Sequence, residues 1–177
     1  MKVIIINGQP RAGKDLFVSK CQEHCHWCLN ISTVDFVKEV ASFCGWGGEK
    51  TAHNRKFLSD LKDLLTQWND IPYQKVITRI GRYEAEIEAY DFDPNTEAIV
   101  FVHCREPKEI ERFTKEIGAH SLLIRRPSIE KEKQSNHADA EVFNYNYDFT
   151  IANDGTVEEL EEKAIAFLQE LGIKNLK

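Results

Sequence analysis

No apolar run in this chain approaches the ~18 residues that a membrane-spanning helix needs. The apolar stretch at residues 3–6 is too short, and Lys2 beside it too weakly charged a flank, for a secretion signal. A cytoplasmic protein without a membrane partner is therefore expected. Positive charge is not in excess: 23 Lys and Arg stand against 29 Asp and Glu, a formal net charge of −6. That balance argues against a broad basic face for a nucleic-acid polymer, so any phosphate must be gripped locally. Internal repeats, low-complexity tracts and Gly/Ser linkers are all missing, so nothing marks a solenoid or a tethered second domain. The cysteines (Cys21, Cys25, Cys28, Cys44 and Cys104) are odd in number, and reduced thiols are the simpler expectation.

What is present is an alternation of strand-like and helix-like segments. Of the 177 residues, 42% are hydrophobic, enough for one domain spanning residues 1–177 with a sizeable core. Residues 3–6 form a continuous β-branched run of the kind buried on both faces of a sheet. A helix is predicted from 14 to about 24, and a weaker strand over 27–31. Phe36, Val37, Val40, Ala41 and Cys44 recur at helical spacing until Gly45. Residues 55–68 read as the clearest helix, with Phe57, Leu58, Leu61, Leu64, Leu65 and Trp68 on one stripe and Asp60, Lys62 and Asp63 opposite. Tyr73, Val76, Ile77 and Ile80 extend a further helix after Pro72.

Residues 98–102 are the next buried strand, and Pro107 suits the first turn of a helix carrying Ile110, Phe113 and Ile117. Residues 121–124 follow as a strand. The stretch from 126 to about 146 is too hydrophilic for core. Residues 149–151 make a last short strand. Thr156 then caps a final helix with Glu159 at the capping-box position, and Val157, Leu160, Ala164, Phe167, Leu168 and Leu171 are predicted to face inward. This order predicts an α/β fold, a three-layer sandwich with a mainly parallel five-stranded sheet. Ligands of such sheets bind outside the carboxyl ends of the strands.

The chemistry concentrates just after the first strand. Gly8-Gln9-Pro10-Arg11-Ala12-Gly13-Lys14-Asp15 matches the phosphate-loop pattern G-x-x-x-x-G-K-[ST] everywhere but at its last position, with a strand before it and a helix after. The glycines allow a turn that aims successive N–H groups at phosphate oxygens, and the helix N-terminus adds its dipole. Lys14 is placed to reach the outer phosphates of ATP. Asp15 replaces the hydroxyl that usually ligates Mg2+; a carboxylate is a hard oxygen ligand able to hold magnesium directly or through water. Its added negative charge needs the metal or Arg11 to balance it.

With this G-K-D ending, the chain resembles the P-loop nucleoside monophosphate kinase superfamily. Its nearest branch there is the bacteriophage-type deoxynucleoside monophosphate kinases and animal-type phosphomevalonate kinases. The resemblance implies a P-loop NTPase type of fold, ATP and Mg2+ as cofactors, and a small phosphorylated acceptor, with the protein a monomer or homodimer. It implies an acceptor-binding helical region at about 33–90, in which Asp35, Lys38, Arg55 and Arg79 contact the acceptor. It also implies an acceptor-phosphate arginine near the end of the strand at 98–102, where Arg105 stands. A lid region at about 125–146 is implied, with Arg125 or Arg126 as the catalytic arginine and Lys131, Lys133 and His137 as further lid candidates. The Asn153-Asp154-Gly155 loop is expected against the adenine, through Asn153 and Gly155. One part of the pattern is missing. The strand at 98–102 runs into His103-Cys104-Arg105, with no Walker B carboxylate.

Two other clusters read as structural. Cys21, His24, Cys25, His26 and Cys28 lack the second ligand pair of a structural zinc site. Asp91 and Asp93, before Pro94, read as a turn.

Overall fold

The structure is a computed structural model describing residues 1–129 and 141–177. Five strands form the sheet: β1 (Lys2–Asn7), β2 (Trp27–Ser32), β3 (Ala98–His103), β4 (His120–Arg125) and β5 (Phe149–Ala152). Their order is β2-β3-β1-β4-β5, and every pairing is parallel. The expected mainly parallel sheet is thus wholly parallel.

The central strands are buried on both sides, which explains their unbroken apolar runs. Ile4 and Ile6 of β1 and Ile99 and Phe101 of β3 pack with Phe17, Leu160, Ala164 and Phe167. Val3 and Ile5, with Val100 and Val102, pack on the opposite face with Tyr73, Val76, Ile80, Ile110 and Phe113. The two-residue period of a strand sends alternate side chains into two separate cores. Each Ile or Phe fully removed from water contributes about 1.5–3 kcal/mol.

The first core is covered by α1 (Lys14–His24) and α7 (Val157–Glu170). The second is covered by α4 (Ile71–Ala89) and α6 (Pro107–Ile117). These layers make the three-layer sandwich. The Thr156–Glu159 capping box is formed, and Leu160, Ala164, Phe167, Leu168 and Leu171 face inward as expected. Val157 does not: it lies at the helix start, nearly half exposed.

Among the described residues, two helices lie outside this sandwich, α2 (Asp35–Phe43) and α3 (Ala52–Asn69), while the four-residue α5 (Pro94–Glu97) leads into β3. The stripe on α3 departs from expectation. No residue of α3 is buried, and Leu64 and Trp68 are 62% and 79% exposed. The helix rests on α2 and α4 rather than on the sheet, so its apolar face is only half covered. The polar stretch after β4 also holds a surprise. Val142, in a short 3-10 turn at Glu141–Asn144, is fully buried, and Tyr145 and Tyr147 pack against the second core. The lid candidates Lys131, Lys133 and His137 lie outside the described residues. Among the described residues, no helix is long and apolar enough to cross a membrane.

Candidate functional site

β1 lies between β3 and β4, where the strand order reverses, so its carboxyl end opens into the crevice that α/β sheets use for ligands. The loop of residues 8–13 occupies that position. Gly8 has φ 150°, and a β-carbon there would collide with the Ile124 carbonyl oxygen. Gly13, with φ 95°, caps α1. Arg11 also adopts a left-handed conformation, at φ 65°. The Ala12 N–H donates to the Gln9 carbonyl at 3.1 Å, closing the turn. Positive φ at residues 8, 11 and 13 bends the backbone into a tight loop at the start of α1.

The residues that brace the loop lie far apart in sequence. Asn7, fully buried at the end of β1, accepts from the Gly8 N–H through Oδ1 at 2.8 Å. Its Nδ2 donates to the Tyr147 hydroxyl at 2.8 Å and to the Arg105 carbonyl at 3.3 Å. Asn153 donates through Nδ2 to the Ala12 carbonyl at 2.9 Å. The Asn153 side chain thus buttresses the loop, leaving the backbone of residues 153–155 as the part that can border a base. Gly155 sits beside the Glu159 carboxylate of the capping box. Lys14 folds back on the loop, donating to the carbonyls of Gly8 at 2.6 Å and Gln9 at 2.9 Å.

Of the two arginines after β4, Arg126 reaches the loop: its Nη1 donates to the Arg11 carbonyl at 3.4 Å. The Arg125 guanidinium lies 5.6 Å from the centre of the Phe143 ring.

On the β3 side, Asp15 projects from the first turn of α1 with its side chain 94% exposed. Its Oδ1 is 3.7 Å from His103 Nε2, a buried nitrogen without a hydrogen-bond partner among the described residues. Burial pushes the His103 imidazole below its usual range, opposed by the carboxylate of Asp15. Asp35 turns back on its own segment, Oδ2 accepting from the Ser32 N–H at 2.7 Å while Oδ1 meets Lys38 Nζ at 3.5 Å.

A cavity of about 440 Å3 adjoins Asp35, between α2 and α4. Its walls carry Asp35, Phe36 and Glu39 from α2, and Lys75, Arg79 and Arg82 from α4. Lys75 Nζ stands 4.7 Å from the centre of the Phe36 ring. Two of the residues expected to meet an acceptor, Asp35 and Arg79, are thus brought to one cavity. Lys38 is held beside Asp35 without lining it, Arg55 stays exposed on α3, and Arg105 follows β3 at the loop side. The second wall is α4. Sequence reasoning missed Asn7, Lys75, Arg82 and Tyr147. An amide closing the apolar run of β1 was a visible signal, as were three cations at helical spacing on one face of α4.

Cys21 and Cys25 are buried, and desolvation pushes both thiols up. Among the described residues, one group of three metal-capable side chains occurs, Glu23, His24 and Glu161, and Lys20 and His24 already pair there with Glu161.

Sheet order, loop and crevice define a fold of the P-loop NTPase type. No protein-family model matches the sequence, and no curated protein does. Two solved structures are similar over nearly their whole lengths. One is a dephospho-CoA kinase from Campylobacter jejuni, at 12% identity and a TM-score of 0.49, covering 96% of this chain and 97% of the other. The second is TT1252 from Thermus thermophilus, at 15% identity and a TM-score of 0.44, with the same coverage.

Proposed function

We propose that this protein is an ATP-dependent phosphotransferase whose acceptor is a nucleoside or deoxynucleoside monophosphate. One observation carries the reading: a loop of phosphate-binding pattern ending in Lys14 and a separate cavity with cationic and aromatic walls both lie at the carboxyl edge of the sheet. The β- and γ-phosphates of ATP sit in the loop of residues 8–13, and Lys14 exchanges its loop carbonyls for phosphate oxygens. Asn153 holds the loop while the backbone near Gly155 borders the adenine. The acceptor occupies the α2–α4 cavity, part of a helical region at about 33–90, with Asp35 and Arg79 against it and Arg105 towards its phosphate.

An acceptor phosphate oxygen attacks the γ-phosphorus, and the bond from that phosphorus to the β,γ-bridging oxygen breaks, releasing ADP. Negative charge grows on the bridging and equatorial oxygens. Lys14, the loop N–H groups and Arg126, at the root of the region 125–146, stabilise it; such electrostatic stabilisation is the main device of phosphoryl transfer. Mg2+ bound with ATP supplies further charge neutralisation. Asp15 is the side chain fitted to hold it, an exposed carboxylate at the loop's end beside an unpartnered nitrogen.

The branch shared by phage-type deoxynucleoside monophosphate kinases and phosphomevalonate kinases leaves a second acceptor class. Lys75, Arg79 and Arg82 along one wall also suit a phosphomevalonate-like or dephospho-CoA-like metabolite. ADP release measured over a panel of monophosphates and these metabolites decides the acceptor. The expected result is turnover with one monophosphate class and loss of about 100-fold or more in Lys14→Ala. Tight ATP binding without turnover on any acceptor would leave a non-catalytic nucleotide-binding protein instead.

A further inference from the structure

P-loop enzymes hold their cation with a hydroxyl at the loop's end and a carboxylate on a neighbouring strand. Here the carboxylate, Asp15, is on the helix, and the strand end holds a histidine. β3 lies directly beside β1, with His103 in register with Ile6 and with Ser32 of β2. The His103 backbone is fixed there: its carbonyl accepts from the Thr33 N–H at 3.2 Å and the Ser32 hydroxyl at 3.3 Å. The ring presents a buried Nε2 with no hydrogen-bond partner among the described residues, 3.7 Å from a carboxylate that is itself almost fully exposed. A buried polar atom left unsatisfied is costly, and such atoms call for an explanation. Asp35, the other acid whose charge reaches His103, is already engaged with Ser32 and Lys38.

We propose that His103 and Asp15 form a mixed nitrogen–oxygen seat for the divalent cation that accompanies the nucleotide, and that this seat shifts cation preference towards manganese. The inference rests on the kinase reading above. Donors 3.7 Å apart are within reach of a single cation with bonds of about 2.1 Å to each. Magnesium favours oxygen and sheds water reluctantly, whereas imidazole suits transition ions. Loss of the ring is therefore felt by Mn2+ more than by Mg2+.

The test uses the full chain with Mn2+ and ADP, its histidines labelled with the heavy nitrogen isotope to separate them from adenine nitrogens. Pulsed electron paramagnetic resonance is expected to show manganese coupled to a labelled histidine nitrogen, and His103→Gln to abolish it. In the same variant, the Mn2+-to-Mg2+ affinity ratio in the ADP complex is expected to fall about 10-fold, with metal-free ADP binding unchanged. Asp15→Asn is expected to weaken both cations. Nucleotide and manganese bound without histidine coupling in the unmutated protein overturn this inference alone. Failure to bind any nucleotide overturns the kinase reading with it.

Discussion

The side-chain amide of Asn153 stands where a β-carbon on residue 13 would have to go, and it donates to the Ala12 carbonyl at 2.9 Å. The two partners of that bond are 141 residues apart in the chain. The end of β5 therefore helps to set the curvature of a loop that follows β1, and glycine at position 13 serves two needs, a left-handed backbone and room for this amide.

Gly13→Ala is expected to destabilise by about 1–3 kcal/mol from backbone strain alone, with the collision against Asn153 added. Asn153→Ala removes the collision but not the strain. In the double variant the two losses should therefore fall short of their sum, with a coupling of about 0.5–3 kcal/mol. Urea denaturation of the four proteins measures it. Strict additivity would show that Asn153 does not brace residue 13.

Asn7 is the second brace. Replacing it by leucine keeps the volume but strands the Gly8 N–H and removes a donor from the Arg105 carbonyl and the Tyr147 hydroxyl. An unsatisfied buried group costs about 1–3 kcal/mol, so Asn7→Leu is expected to lose on the order of 3 kcal/mol in all. Tyr147→Phe, which leaves the Gly8 bond intact, should lose about 1 kcal/mol. A leucine variant as stable as the parent in urea would contradict the assignment.

What could be read from the sequence divides along the same lines. Buried strands announce themselves because both their faces are apolar, and Gly8 to Lys14 announces itself because a phosphate loop needs those residue types in that order. Long-range pairings leave no such periodic trace. Nothing local in Asn7 names Tyr147, and a helical stripe does not say what it rests against. The stripe on α3 looks like a core face yet rests mainly on α2 and α4, while α4, less regular in sequence, covers the sheet and walls the cavity. Val142 sits in a polar stretch and is still fully buried, which the sequence does not announce because a four-residue turn is too short to show a period.

Arg125 and Arg126 are alike in sequence but not in place. Arg126 contacts the phosphate loop through the Arg11 carbonyl, and Arg125 lies by Phe143. Arg126→Ala is expected to lower kcat in the ADP-release assay by about 100-fold to 1000-fold, the loss typical of one stabilising donor. Arg126→Lys should recover little, because an ammonium lacks the guanidinium fork. Arg125→Ala should change kcat by less than about 10-fold. The opposite ranking would move the catalytic role to Arg125.

Asp148 offers a test of the fold by pH. Its Oδ2 accepts from the Ser121 N–H at 2.7 Å and from the Ser121 hydroxyl at 2.8 Å, tying the start of β5 to β4. Burial opposes ionisation of this carboxyl, yet the Ser121 donors and nearby His120 outweigh it and hold it below the usual range. A depressed carboxyl contributes stability above its unfolded pKa of about 3.9 and loses that contribution as pH falls through the lower folded value. Solvent screening keeps the contribution near 1 kcal/mol. Asp148→Asn should therefore lower the melting temperature by a constant amount between pH 5 and 7, roughly a pH unit and more above the unfolded value. Below about pH 4 the two melting curves should converge. A gap that persists unchanged into acid would mean that Asp148 acts through shape rather than charge.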